Sequence, residues 1–266
     1  MIKEILTKFV YRRSYFRPNL FKTLVVNFTF LPFRDAIKLP VLVLGPCKIN
    51  AFTGKITLRH PAHFGMLKIG VCDPYRSYHE KSYLEIRGEL NIGNHTVLRR
   101  GLSLFIKETG KVVLEDDVYV GDNVSIVSAE SITIKKATRV ANNTVFMDTD
   151  FHYTVNTLTR EVKPINVPIV IGENNWIGAW CTIKKGCQTP KGTVIAGPYT
   201  MAGKNYVGKI PEFSIIAGSP AKLLAEGIRR INNYPNEAIV EEYFKTHTGK
   251  YTLPDDIDIE QFCMPT

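Results

Sequence analysis

A parallel β-helix is the fold class this sequence predicts, on three observations. Apolar side chains recur every six residues. Two teeth of the clearest comb, Ile171 and Ile177, carry Ile-Gly. The period matches neither the 3.6 of an α-helix nor the 2 of a hairpin strand. The combs run Ile86, Ile92, Leu98, Leu104; Leu114, Val120, Ile126, Ile132; Ile134, Val140, Phe146; and Ile171, Ile177, Ile183, Thr189, Ile195, Met201. Three hexads close one triangular coil, each tooth points into the prism, and stacked coils continue the core. The expected class is therefore an all-β solenoid with a short N-terminal extension and C-terminal helices.

Taken in order, residues 1–68 form a basic, aromatic extension and cap. Pro18, Pro32 and Pro40 break any single long helix there. Residues 41–68 read as short strands and turns that could form the first, less regular coils and so cap the prism end, since exposed core and strand edges need a cover. Residues 69–218 carry the readable hexads, enough for roughly seven or eight coils. The comb slips between Leu104 and Leu114 and between Ile132 and Ile134, and it breaks across 148–168. A long loop thrown out of a regular solenoid maps to its functional face. Residues 219–266 form a helical tail: Pro220 suits a first helical turn, Leu223, Leu224, Ile228 and Ile231 give a helical stripe, and 250–266 is a loose acidic end.

An apolar share of 44% and a charged share of 22% fit an ordinary globular chain. Five cysteines form no CxxC pair and read as free thiols of a reducing, cytoplasmic compartment. Met1 opens a charged stretch and not a secretory signal, and the longest apolar run, Leu39 to Leu44, is too short to span a bilayer. The net charge of +9 is uneven: within 1–38, eight basic residues face only Glu4 and Asp35, with aromatics interleaved. Nucleic-acid binding is not expected, because no recognition motif accompanies this charge. Two readings stay open for 1–38: a solvated helix docked on the prism, and peripheral contact with an anionic membrane face or a lipid-diphosphate substrate.

Several motifs together point to one family. Trp176-Ile177-Gly178-Ala179, the Ile-Gly hexads, the loop Asp148-Thr149-Asp150-Phe151-His152 and the terminal Ala217-Gly218-Ser219-Pro220-Ala221-Lys222 resemble the hexapeptide-repeat acyltransferases. The resemblance covers about residues 85–225. It is similar to the sugar O-acetyltransferase branch of maltose and galactoside acetyltransferases, and more so to enzymes that acetylate capsular or O-antigen polysaccharides. It implies a left-handed parallel β-helix, a homotrimer, and acetyl-CoA held as co-substrate in a groove between subunits.

His152 is the expected general base, since the family carries a catalytic histidine in the loop that leaves the prism. A sugar hydroxyl is a poor nucleophile toward a thioester, and an imidazole, with an ordinary pKa near 6.5, can take its proton. Asp148 and Asp150 are candidates for steadying the imidazole and contacting the sugar, or else turn formers. The maltose and galactoside branch lacks this Asp-x-Asp-x-His pattern. It places an asparagine about a coil and a half before the histidine, where this chain offers Ser128 as the acceptor contact. Trp176 resembles the tryptophan that walls the family's site. Ala179 matches a position whose N–H faces the thioester and could steady an oxyanion. Ala196 and Gly197 leave room for a thin pantetheine arm, and Lys204 and Lys222 are the candidate partners of the coenzyme's phosphates.

Cys181 and Cys187 are expected to be packing residues, since no acetyl-enzyme is needed. No metal is expected: a γ-class carbonic anhydrase shares the architecture, but no histidine lies on the regular coils near His152, and His60-Pro61-Ala62-His63 reads as a cap turn. The competing functions are an acyltransferase with a serine, antibiotic or amino-sugar acceptor, and a non-catalytic solenoid scaffold.

Overall fold

The computed structural model describes residues 18–72 and 80–264, so the basic side chains of 1–17 lie outside the described residues. The chain forms two compact units, Met1–Glu226 and Gly227–Thr266.

The first unit is the β-helix. Three parallel sheets wall it, with nine, seven and five strands. The nine-stranded wall runs in parallel from Val41–Val43 to Ile215–Ala217 and ends on the antiparallel strand Lys222–Ala225. The chain visits the walls in turn, so each residue stacks on its equivalent one coil on. Val43, Ile69, Leu98, Val120, Val140, Ile177, Ile195 and Ile216 are in register on one wall. Leu84, Leu104, Ile126, Phe146, Ile183 and Ala202 are in register on the next. All are buried, as the hexad comb requires. Thr189 is the one polar tooth of the comb. Its hydroxyl accepts from Gly172 N at 3.0 Å and donates to Asn175 Oδ1 at 2.9 Å, so its burial costs little.

Residues 41–68 build the first coils, ahead of the readable hexads, and supply strands to all three walls. Three expectations change. The cap is the helix Leu20–Phe30, with Val26 and Phe30 packed into the core. Ala202, not Met201, is the inward tooth, since the corner Ala196–Thr200 holds one residue more than the corner before it. The stretch directly after Gly218 is a strand and not the start of a helix. That glycine sits at φ +94°, the chain reverses, and Leu223 pairs with Ile216, so the last coil's open edge takes a strand.

The second unit holds the helices Tyr234–Thr246 and Ile259–Cys263. Asn233 caps the first by accepting from Asn236 N at 3.1 Å, and Asn236 Nδ2 donates to Phe262 O at 2.9 Å, which ties the two together.

Candidate active site

The loop that carries His152 leaves the prism at the corner between the seven- and five-stranded walls, after the strand Val145–Met147 and before Ile169–Ile171. Its root is dry. The Asp148 carboxylate accepts from Ser128 Oγ at 2.9 Å, Ala129 N at 2.7 Å and Glu130 N at 3.0 Å, and both side chains are fully buried. Asp148 and Ser128 therefore do not contact an acceptor from these positions. Every strong polar atom of the pair is spent on rooting the loop, which corrects the expectation for both.

Above the root the two loop strands pair at Thr149 and Asn166, and Asp150 N donates to Ile165 O at 2.9 Å. The exposed Asp150 carboxylate meets Lys185 Nζ at 2.6 Å, and that ammonium also donates to Pro164 O at 2.7 Å. The buried Thr149 hydroxyl accepts from Phe151 N at 3.1 Å, Phe151 adopts φ +61°, and His152 N donates to Asp150 O at 2.7 Å. Lys107, at the same corner of an earlier coil, stands 4.5 Å from the Phe151 ring centre. These contacts hold the backbone on both sides of His152. Its ring is exposed, and among the described residues nothing hydrogen-bonds it, so both ring nitrogens are available. Lys107 and Lys185 carried no sequence signal, and Thr149 stood in the loop motif without a role of its own. They act through the fold of the loop, which the spacing of hexads does not report.

Trp176 stands on the nine-stranded wall, its backbone paired with Arg139 and Val194, and its ring is exposed. That wall borders the other two corners of the prism, not the one His152 leaves from. At the corner following Trp176, Gly178 and Ala179 lie directly against Gly197. A Cβ on Gly197 would fall 2.3 Å from Ala179 O, and one on Gly178 would fall 2.4 Å from Gly197 N. Only bare backbone fits at Gly178 and Gly197, so the two coils meet along a backbone track. Among the described residues no acceptor takes the Ala179 N–H. Ala196 N is tied to Ile216 O at 2.9 Å. Exposed Trp180 and Tyr199, both in left-handed backbone, stack as successive corners beside the track through Tyr199 N to Trp180 O at 2.9 Å. The sequence reading passed over both rings, although each follows directly on the motifs it used.

Lys222 is exposed and opens the terminal antiparallel strand beside Ala217. Lys204 is also exposed, but it lies on the His152 side, where Gln188 N donates to its carbonyl at 3.1 Å. The candidates thus sort onto two sides of the prism. His152, Asp150 and Lys204 share one corner. Trp176, Ala179, Ala196, Gly197 and Lys222 share the wall and corner away from it. One copy of the chain does not bring the two groups together.

Burial pushes the Cys181 thiol up to about 11 and the Cys187 thiol up to about 12, so neither supplies a thiolate near neutrality. His60 Nε2 lies 2.8 Å from Asp116 Oδ1 and His63 Nε2 lies 2.9 Å from Asn94 Oδ1, so neither histidine is turned toward the other's partner. Among the described residues no group of three metal-binding side chains converges. A polar cleft of about 400 Å³ follows the loop's corner toward the first coils, between Thr53, Arg87, Glu89 and Thr109. Its charges satisfy one another: Glu89 takes Lys55 at 3.3 Å and Lys111 at 3.1 Å, and Arg87 takes Glu85 and Glu108.

No family model matches the sequence. Over 154 residues the chain is 32% identical to a proposed lipopolysaccharide biosynthesis O-acetyl transferase of Escherichia coli, covering 53% of this chain and 74% of that protein. Over 92 residues it is 30% identical to an uncharacterized 24.8 kDa protein in the cps region of Klebsiella pneumoniae, covering 35% of this chain and 40% of that one. Among solved structures, a polysialic-acid-specific acetyltransferase superposes with a TM-score of 0.49 at 16% identity, over 77% of this chain and 94% of that one.

Proposed function

From a chain that belongs to the hexapeptide-repeat acetyltransferases, in the branch of polysaccharide O-acetyltransferases, we propose an acetyl-CoA-dependent transfer to a sugar hydroxyl of a surface-polysaccharide precursor, with His152 as general base. The observation that carries the role of His152 is the contrast between backbone and ring. The backbone is held by Asp150 and by a root with three hydrogen bonds to Asp148, while the imidazole is left unengaged. A base must be positioned yet free to take a proton, and this loop provides both.

The two-sided distribution of candidates favours a site between copies. One subunit presents His152 and Lys204, and its neighbour presents Trp176, the Ala179–Gly197 track and Lys222. A trimer closes that arrangement three times with one repeated contact. The imidazole takes the proton as the sugar oxygen attacks the acetyl carbon. The Ala179 N–H faces the oxygen on which negative charge develops. The carbon–sulfur bond then breaks, and the imidazolium returns its proton to the departing thiolate, leaving the acetyl ester and free coenzyme A. The bare track admits the pantetheine arm, Trp180 and Tyr199 flank it, and Lys222 lies toward the phosphates.

His152→Ala tests the assignment. Acetyl-CoA binding stays within a few-fold, and turnover, followed as thiol release with product mass spectrometry, falls by about 10²–10⁴-fold. Turnover within a few-fold of the parent removes His152 as the base. A panel of free sugars, nucleotide sugars and polysaccharide extract, with serine as control, identifies the acceptor. Acetylation of serine alone overturns the sugar reading.

A further inference from the structure

The helix Leu20–Phe30 carries its polarity on the inside. Thr23 and Asn27 face the prism and hydrogen-bond the first strand: Asn27 Nδ2 donates to Val41 O at 2.7 Å, Val41 N to Asn27 Oδ1 at 3.1 Å, and Val43 N to Thr23 Oγ1 at 3.0 Å. The opposite face is apolar and open, with Leu20 71% and Phe21 70% exposed and Leu24 and Phe28 beside them. Phe33 continues this surface, 73% exposed, with its ring centre 5.9 Å from that of Phe28. Single exposed apolar residues are ordinary, but a contiguous row of large ones marks an interaction surface. Capping explains the inner face and leaves the outer one unexplained.

Cations border the same row. Lys22 Nζ stands 5.6 Å from the Phe21 ring centre, Arg34 is exposed beside Asp35, and Lys38 is exposed one turn on. In sequence, residues 1–17 hold Lys3, Lys8, Arg12, Arg13 and Arg17 against Glu4, and they lie outside the described residues. Aromatic and aliphatic rows edged with Lys and Arg match a bilayer surface, where headgroup phosphates take the cations and the acyl boundary takes the rings. Among the described residues no helix is long and apolar enough to cross a membrane, so the contact would be peripheral.

We propose that the outer face from Leu20 to Lys38 docks this protein on an anionic phospholipid bilayer. The proposal stands apart from the catalytic reading, and it would hold the enzyme where a lipid-carried glycan is presented. Flotation of the full chain with vesicles tests it. Wild type floats with phosphatidylglycerol–phosphatidylcholine vesicles, not with phosphatidylcholine alone, and less as salt rises. Replacing the outward positions (Phe21→Ser, Leu24→Ser and Phe28→Ser together) lowers partitioning at least tenfold. Lys22→Gln, Arg34→Gln and Lys38→Gln lower it about fivefold each, and they keep the test alive if the triple serine variant fails to fold.

The proposal is overturned if wild type stays with the soluble fraction. It also fails if the serine variant floats as wild type does, which would assign binding to residues 1–17. A changed oligomeric state of that variant would make the face a contact between copies and overturn it too. Thiol release with a soluble acceptor stays unchanged in every variant, so this failure and that of the catalytic reading are read separately.

Discussion

The Asp148 carboxylate and the Ser128 hydroxyl lie 2.9 Å apart inside the prism corner, at the root of the loop that carries His152. Removing the carboxylate strands the buried N–H of Ala129 and takes an acceptor from Glu130 N, while the Ser128 hydroxyl keeps only Lys111 O at 3.2 Å. Asp148→Ala should therefore cost about 3 kcal/mol, and Asp148→Asn less, because one amide oxygen still accepts. Urea unfolding measures both. If Asp148→Asn keeps its stability and raises only the acceptor KM, the carboxylate is a ligand and not a root.

Asn27 does at the first coil what a further strand would do. Its amide both donates to and accepts from Val41, fully buried, so the edge of the nine-stranded wall has no open hydrogen bonds there. Asn27→Ala leaves that N–H and C=O unpaired and should cost about 2–4 kcal/mol. Amide exchange should rise first at Val41 and its neighbours. Uniform exchange with an unchanged unfolding midpoint would show the helix to be dispensable.

The prism was legible because its rule is local: each buried tooth lies about six residues from the last. The rule failed at Met201, where a corner one residue longer moved Ala202 inward. It gave no regular comb for the first coils, since the turns that join the strands of Ile49, Ile56 and Leu67 are of unequal length. The stripe Leu223-Leu224-Ile228-Ile231 suggested a helix, but an unpaired strand edge made a strand at Lys222–Ala225 the better partner. The loop that carries His152 was legible as a break in the comb. Asp148 and Ser128 were misread because burial is a tertiary property. Two aspartates beside a histidine look alike in sequence whether they face solvent, as Asp150 does, or the core.

Acid should loosen the first coils through Glu89. Partial burial favours its neutral form, but hydrogen bonds from Lys111, Thr57 and Lys55 outweigh that and hold the carboxyl below its usual range. A depressed carboxylate pKa stabilises the fold above the unfolded value near 4.3 and loses that contribution as pH falls through the folded value. Glu89→Gln should therefore melt earlier than the parent at pH 7, and the gap should close below about pH 4. Its size should stay small, on the order of 1 kcal/mol, because both lysines are substantially exposed. A gap that widens on acidification would place the folded pKa on the other side of the unfolded one.

A shared site makes a sharper demand. His152 leaves the prism at a corner that the wall of Trp176 does not border, so the proposed function requires a base from one copy and an aromatic wall from the next. His152→Ala and Trp176→Ala should each lose turnover alone, the second by about tenfold or more through lost packing around the thioester arm. Unfolded together in equal amounts and refolded, the two populations rebuild contacts at random. About a quarter of those contacts then pair an intact imidazole with an intact indole, so activity should return to about a quarter of the parent level. Recovery requires the neighbour's side chain, and refolding each variant separately gives none. A mixture no more active than the average of its parts would put the whole centre on a single chain, and that would contradict the separation of His152 from Trp176.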